Sequence, residues 1–174
     1  HIDIDPASIS KVIKVHHPLV GDVKPILKEI IKGVGDLRAQ TKPWLEQIAA
    51  WKKKHPLKYS MEDGQIRQEY VIEKAGELTK HNAVVTTGVG QHQMWTAQWY
   101  GFNKPRGMIT SGGLGTMGFG FPSAIGAALA RPNDTVVCFD GDGSFQMTLC
   151  ELATAVYYKV PVKLILMDNS HHGM

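Results

Sequence analysis

The chain has 174 residues, 43% hydrophobic and 20% charged, with a formal net charge of +3, the profile of an ordinary folded domain with a real core and room for part of a second. So slight a charge does not argue for nucleic acid, and Lys52-Lys53-Lys54 reads as a solvated helix face. Cys138 and Cys150 have neither zinc spacing nor a disulfide framework, and no apolar stretch reaches the roughly 18 residues of a membrane span.

In chain order, residues 2–5 alternate as a strand, Pro6 turns the chain, and residues 23–32 form a helix with Val23, Ile26, Leu27, Ile30 and Ile31 on one face. This reads as the end of an α/β domain over residues 1–34. Residues 35–62 form an interdomain connection, in which a helix opens at Lys42-Pro43-Trp44, runs through Trp51 and is broken at His55-Pro56. A second domain occupies 63–174. It begins with a helix over 65–80 and a buried strand over 83–87 ending at Gly88, then a helix from Gln93 and a short strand over 108–110. After glycine-rich 112–120 come a helix over 124–130 and two further strands, 135–139 and 162–167, with a helix between them. Strict alternation of helix and strand predicts an α/β fold, a doubly wound parallel sheet. With no initiating Met and abrupt ends, the chain reads as a fragment of a larger enzyme.

The residues with the clearest chemistry are Asp142, in Gly141-Asp142-Gly143-Ser144, and Asn169, in Asp168-Asn169-Ser170. Each follows a buried strand, and in a right-handed β-α-β unit both emerge at the carboxyl edge of the sheet, where such folds bind ligands. One carboxylate and one amide oxygen suit magnesium, a hard cation that usually completes its shell with phosphate and water. Gly141 and Gly143 let backbone approach a phosphate, and a helix capped by Ser144 would aim its free amides at it. A second motif competes. Gly113-x-Gly115-x-x-Gly118 matches the dinucleotide fingerprint, with Asp140 near the place of a ribose-binding acid. Against it, the strand before the motif is weak and Gly120-Phe121-Pro122 is expected to delay the helix that should seat pyrophosphate.

Taken together, Gly88-Val89-Gly90-Gln91-His92-Gln93-Met94-Trp95, Lys104-Pro105-Arg106, Gly113-Leu114-Gly115-Thr116-Met117-Gly118-Phe119-Gly120 and Gly141-Asp142-Gly143-Ser144 closely resemble the acetolactate synthase (acetohydroxyacid synthase) family of thiamine-diphosphate enzymes, over nearly the whole chain. The resemblance implies that residues 63–174 are most of a diphosphate-binding domain and that residues 1–34 end a central, FAD-binding type domain. By this resemblance Asp142, Asn169 and the backbone oxygen of His171 would hold magnesium. Val89, Gly90, Gln91, His92, Gly141, Gly143 and Ser144 would surround the diphosphate. The main chain of Gly115 would accept a hydrogen bond from the pyrimidine amino group, and Met117 would wedge between the two rings. Asp3 and Asp22 would correspond to flavin-contacting positions, which adds FAD to thiamine diphosphate and Mg2+ as an expected cofactor.

The implied reaction decarboxylates pyruvate and joins the remaining unit to a second 2-oxo acid, in branched-chain amino acid biosynthesis. Its activating acid would lie on a pyrimidine-binding domain of a partner subunit. No catalytic residue is therefore assigned here, and the piece alone is expected to be inactive. The whole enzyme would be a homodimer or homotetramer, with a regulatory subunit as a further expected partner, in the bacterial cytoplasm or in a plastid or mitochondrion. Another thiamine-diphosphate decarboxylase or oxidase, or a non-catalytic diphosphate-binding module, are the alternatives. Two positions depart from the family pattern: Asp168 stands where Asn is usual, and Gly88 where an acidic residue is common.

Overall fold

The computed structural model describes residues 1–35, 40–61, 64–170 and 173–174, in two compact units, His1–Leu57 and Lys58–Met174. In the first, β1 (Ile2–Asp3) pairs in parallel with β2 (Leu19–Val20), a strand the sequence pattern did not reveal. The expected strand over 2–5 stops early because side chains capture the backbone. Asp3 Oδ1 accepts the Asp5 amide and Asp5 Oδ1 accepts the Ala7 amide, both at 2.9 Å, which competes with ladder pairing. Helix α1 (Val23–Val34) starts where Asp22 Oδ1 accepts the Lys24 amide at 2.8 Å and ends at Gly35, whose φ of 53° favours glycine. Helix α2 (Lys42–Lys54) carries Trp44 and Trp51 edge to face at 5.5 Å.

The second unit alternates as the sequence pattern requires: α3 (Gln68–Leu78), β3 (Val84–Thr87), α4 (Gln91–Trp99), β4 (Met108–Ile109), α5 (Gly120–Ala130), β5 (Val136–Gly141), α6 (Asp142–Gln146), α7 (Glu151–Tyr157) and β6 (Val162–Met167). The four strands are all parallel in the order β4-β3-β5-β6. Alternate residues serve opposite faces, as the pleat demands. Val84, Val136 and Cys138 pack with Phe121, Ala124 and Ala128 of α5, whereas Val85, Val137 and Phe139 pack with Ile72 of α3 and with Tyr100. Helices cover both faces, so the fold is the expected α/β, doubly wound parallel sheet.

Helix boundaries differ from expectation. Helix α3 is shorter than 65–80, α4 begins at Gln91 rather than Gln93, and α5 begins at Gly120 rather than 124. The single helix expected after Ser144 is two short ones, joined by amides reaching back three residues: Met147 to Ser144, Thr148 to Phe145, and Leu149 to Gln146. Leu152 and Val156, on the second of them, are exposed. No helix of the described residues is long and apolar enough to cross a membrane.

Candidate cofactor and metal site

The chain leaves β3 for β4 on one side and returns to place β5 on the other, so the direction of winding reverses between β3 and β5. Ligands of doubly wound sheets bind at the carboxyl ends of such a pair. Register brings those ends level: Thr87 is opposite Phe139, and Gly141 opposite Met167. Gly90, at φ 154°, turns the chain straight from β3 into α4, whose first turn carries the partial positive charge of a helix N-terminus.

A pocket lies at this edge. Val89, Gly90, Gln91 and His92 come from the β3-α4 turn, and Gly141, Asp142, Gly143 and Ser144 from the β5-α6 turn. Asn169 and Gly173 enter beyond β6, Met117 from the glycine loop, and Gln68 from the start of α3. The side chains of Asn169 and Gln91 meet, with Asn169 Nδ2 donating to Gln91 Oε1 at 3.2 Å. Asp142 is half-buried as the first residue of α6. Asp168 is exposed, and its Oδ1 accepts the Ser170 amide at 2.7 Å, which engages that carboxylate in its own turn.

Ser144 does not cap a helix. It is buried inside α6, and its Oγ accepts the Gly118 amide at 3.0 Å while Thr148 Oγ1 donates to the Gly118 carbonyl at 3.0 Å. Both backbone groups of Gly118 are thus held by side chains from the β5 side, which fixes the loop bearing Met117. Gly115, at φ 68°, stands behind this wall, where a Cβ would be 3.6 Å from Val89 Cγ1. His171 lies outside the described residues. In the first unit, Asp3 and Asp22 border one surface depression at the ends of β1 and β2.

Sequence reasoning missed Gln68, Met167 and above all Asp140. Met167 ends β6 and lines the pocket. Asp140 is fully buried, with Oδ1 accepting the Gly141 amide at 3.0 Å and lying 3.7 Å from His92 Nε2. The visible signal was an acid closing an apolar run, weighed only as a ribose ligand. Burial pushes its carboxyl above the usual range, opposed by the Ser144 hydroxyl and by the Gly141 and Phe121 amides. Burial pushes His92 down to about 4, opposed by the Gly88 backbone and the charge of Asp142.

A depressed histidine carries a pH signature. Between about 6.5 and about 4 the unfolded chain takes up a proton that folded His92 refuses, so stability falls as pH is lowered and the loss levels off below about 4. The full effect is about 3 kcal/mol. Urea unfolding of the apo protein at several pH values should show a shallower acid slope for H92Q than for the unaltered chain.

The residues present fit a diphosphate held through a hard cation. Among the described residues no three His, Cys, Asp or Glu side chains converge on a metal position. One carboxylate beside amide oxygens is a donor set that leaves most of an octahedral shell to phosphate and water. Glycines make the space, since a Cβ on Gly90 or Gly141 would stand 2.9 or 3.0 Å from His92 Cε1. The dinucleotide reading fails partly as expected, since the strand before the motif, β4, is only two residues long. Helix α5 is not delayed to 124, but residues 110–119 separate it from β4, and Gly118 is bonded to Ser144 and Thr148.

Residues 88–174 match the family model described as "Thiamine pyrophosphate enzyme, C-terminal TPP binding domain". All of the chain aligns with acetolactate synthase isozyme 3 large subunit of Escherichia coli (strain K12), at 45% identity, and with acetolactate synthase large subunit of Haemophilus influenzae, at 47%. It is likewise 47% identical to acetolactate synthase 1, chloroplastic, of Nicotiana tabacum. The chain spans 31% of the length of the two bacterial relatives and 27% of the tobacco one. With the family match running from the β3 turn to the end of the chain, over the strands and turns that form the pocket, this chain belongs to the thiamine pyrophosphate enzymes through their C-terminal TPP binding domain.

Proposed function

We propose that the protein carrying this chain is an acetolactate synthase large subunit, which decarboxylates pyruvate and joins the remaining two-carbon unit to a second 2-oxo acid. The observation that carries this reading is the meeting of Asp142, Asn169 and Gln91 in a glycine-walled pocket at the reversal of the sheet, in a chain whose full length resembles acetolactate synthases. Asp142 and Asn169, with the His171 carbonyl, would hold Mg2+, which would supply positive charge to offset the negative charge of the diphosphate. The first-turn amides of α4, with Gly143 and Ser144, would bind the phosphate oxygens. Met117 would give the rings an apolar wall. Thiamine diphosphate, when bound, supplies the electron sink that lets a 2-oxo acid lose carbon dioxide.

The chain's own contribution is to hold and orient that group. Asp142 is the one carboxylate among the described residues lining the pocket, and it is committed to the metal. The acid that activates the cofactor would therefore come from another domain, in a dimer or larger assembly. FAD would bind through the first unit near Asp3 and Asp22.

The test is product analysis of the full-length protein with thiamine diphosphate, Mg2+ and pyruvate, alone and with 2-oxobutyrate. One carbon dioxide released per 2-hydroxy-2-acetyl acid formed is the expected result. Free acetaldehyde as the main product would point to a simple decarboxylase and overturn the synthase reading.

A further inference from the structure

Among the described residues, two buried side-chain atoms lack a hydrogen-bond partner: His92 Nε2 and Asp140 Oδ2. They belong to groups that face each other, Nε2 lying 3.7 Å from Asp140 Oδ1. The His92 ring is wedged between Gly90 of the β3 turn and Gly141 of the β5 turn, neither of which leaves room for a Cβ. Asp140 closes this wedge from behind. Its Oδ1 accepts the Gly141 amide, and its carboxylate fills the space that a Cβ on Gly88 would occupy, beside Ser144 Oγ. The carboxylate therefore touches both turns that line the pocket.

Leaving a buried acceptor unpaired costs on the order of 1–3 kcal/mol, and such a group calls for an explanation beyond packing. We propose that Asp140 is a positioning residue of the cofactor pocket, fixing the His92 ring and the Gly141 amide, and that its carboxylate is exchangeable with one supplied from position 88. The second half follows from the overlap. An aspartate at position 88 collides with Asp140 and with Ser144 Oγ; with serine at position 140, and the Ser144 hydroxyl rotated aside, it delivers a carboxylate into the same space from the end of β3. What fills the pocket rests on the thiamine-diphosphate reading above.

The test uses the full-length protein and three variants: D140S, G88D and the double variant G88D/D140S. Thiamine diphosphate is titrated at fixed Mg2+ by fluorescence quenching, and the His92 ring resonance is read in the apo protein by 13C-histidine labelling. D140S should weaken cofactor binding about 10–100-fold, the range for a partner that orients a ligating group, with a much smaller loss of kcat at saturating cofactor. G88D should be worse. The double variant should return to within about threefold of the unaltered protein, a coupling that independent sites do not show, and its His92 resonance should return with it.

Normal cofactor affinity in D140S, or a double variant no better than the two single changes combined, would overturn the proposal. Should D140S not fold, the isosteric D140N takes its place in the titration. Failure of the unaltered protein to bind thiamine diphosphate would count against the cofactor reading alone, because the apo resonance still tests whether Asp140 sets the ring.

Discussion

Replacing Asp142 by alanine should lower the affinity for thiamine diphosphate in the presence of Mg2+ by at least about 100-fold, beyond the 10–100-fold typical of an orienting partner. The change removes the one carboxylate among the described lining residues, and with it, on the proposed reading, both a ligand and the charge that would attract the cation. A hard cation held through so few protein groups has nothing to replace it. The fold should survive. Asp142 is half-buried and opens a short helix, where losing an acid costs at most about 1 kcal/mol. Calorimetric titration, with and without a chelator, is the measurement. The unaltered protein should lose binding when magnesium is removed, whereas D142A should bind equally poorly either way. D168A serves as the control, since that exposed carboxylate is engaged with its own turn and its loss should leave affinity within about threefold.

The second large effect concerns stability. A Cβ on Gly120 would run into the Gly88 amide nitrogen, the Thr87 carbonyl carbon and Asp140 Oδ2. Two of these are backbone, which has no rotamer to give. The start of α5 lies directly on the end of β3, where Thr86 Oγ1 donates to the Gly120 carbonyl at 3.0 Å. G120A must push the two apart, at the upper end of the usual overpacking cost of about 1–3 kcal/mol. For a chain of this size that corresponds to a fall in Tm of roughly 6–12 °C. A methyl added at Gly126 on the same helix would meet nothing within 4 Å, so G126A should be neutral or stabilise by up to about 1 kcal/mol. Equal effects of the two changes in a thermal melt would contradict the close contact.

The elements of the second unit were legible because its strands are short apolar runs bounded by glycine and acid. Val136, Val137, Cys138 and Phe139 leave little choice but a strand covered on both faces. That Asp142 and Asn169 line one pocket followed from two parallel strands ending side by side. Helix boundaries followed less well, for tertiary reasons. Gly120 starts α5 because β3 accepts it there, and the helix after β5 breaks where Ser144 and Thr148 turn their side chains to Gly118. Asp140 was legible as an acid closing a strand but not as a neighbour of this pocket, because its place there depends on the absent side chain at position 88, just past another strand. The β1–β2 pair was missed because two-residue strands have no period to read.

The hold on Gly118 has a consequence for how a ligand is sensed. Its amide and carbonyl are satisfied by Ser144 and Thr148, so the segment carrying Met117 has no independent hinge next to the β5-α6 turn. Two parts of the pocket that are far apart in sequence form one mechanical lever. A ligand that engages the β5-α6 turn also steadies the wall carrying Met117, and a disturbance at either end is felt at the other.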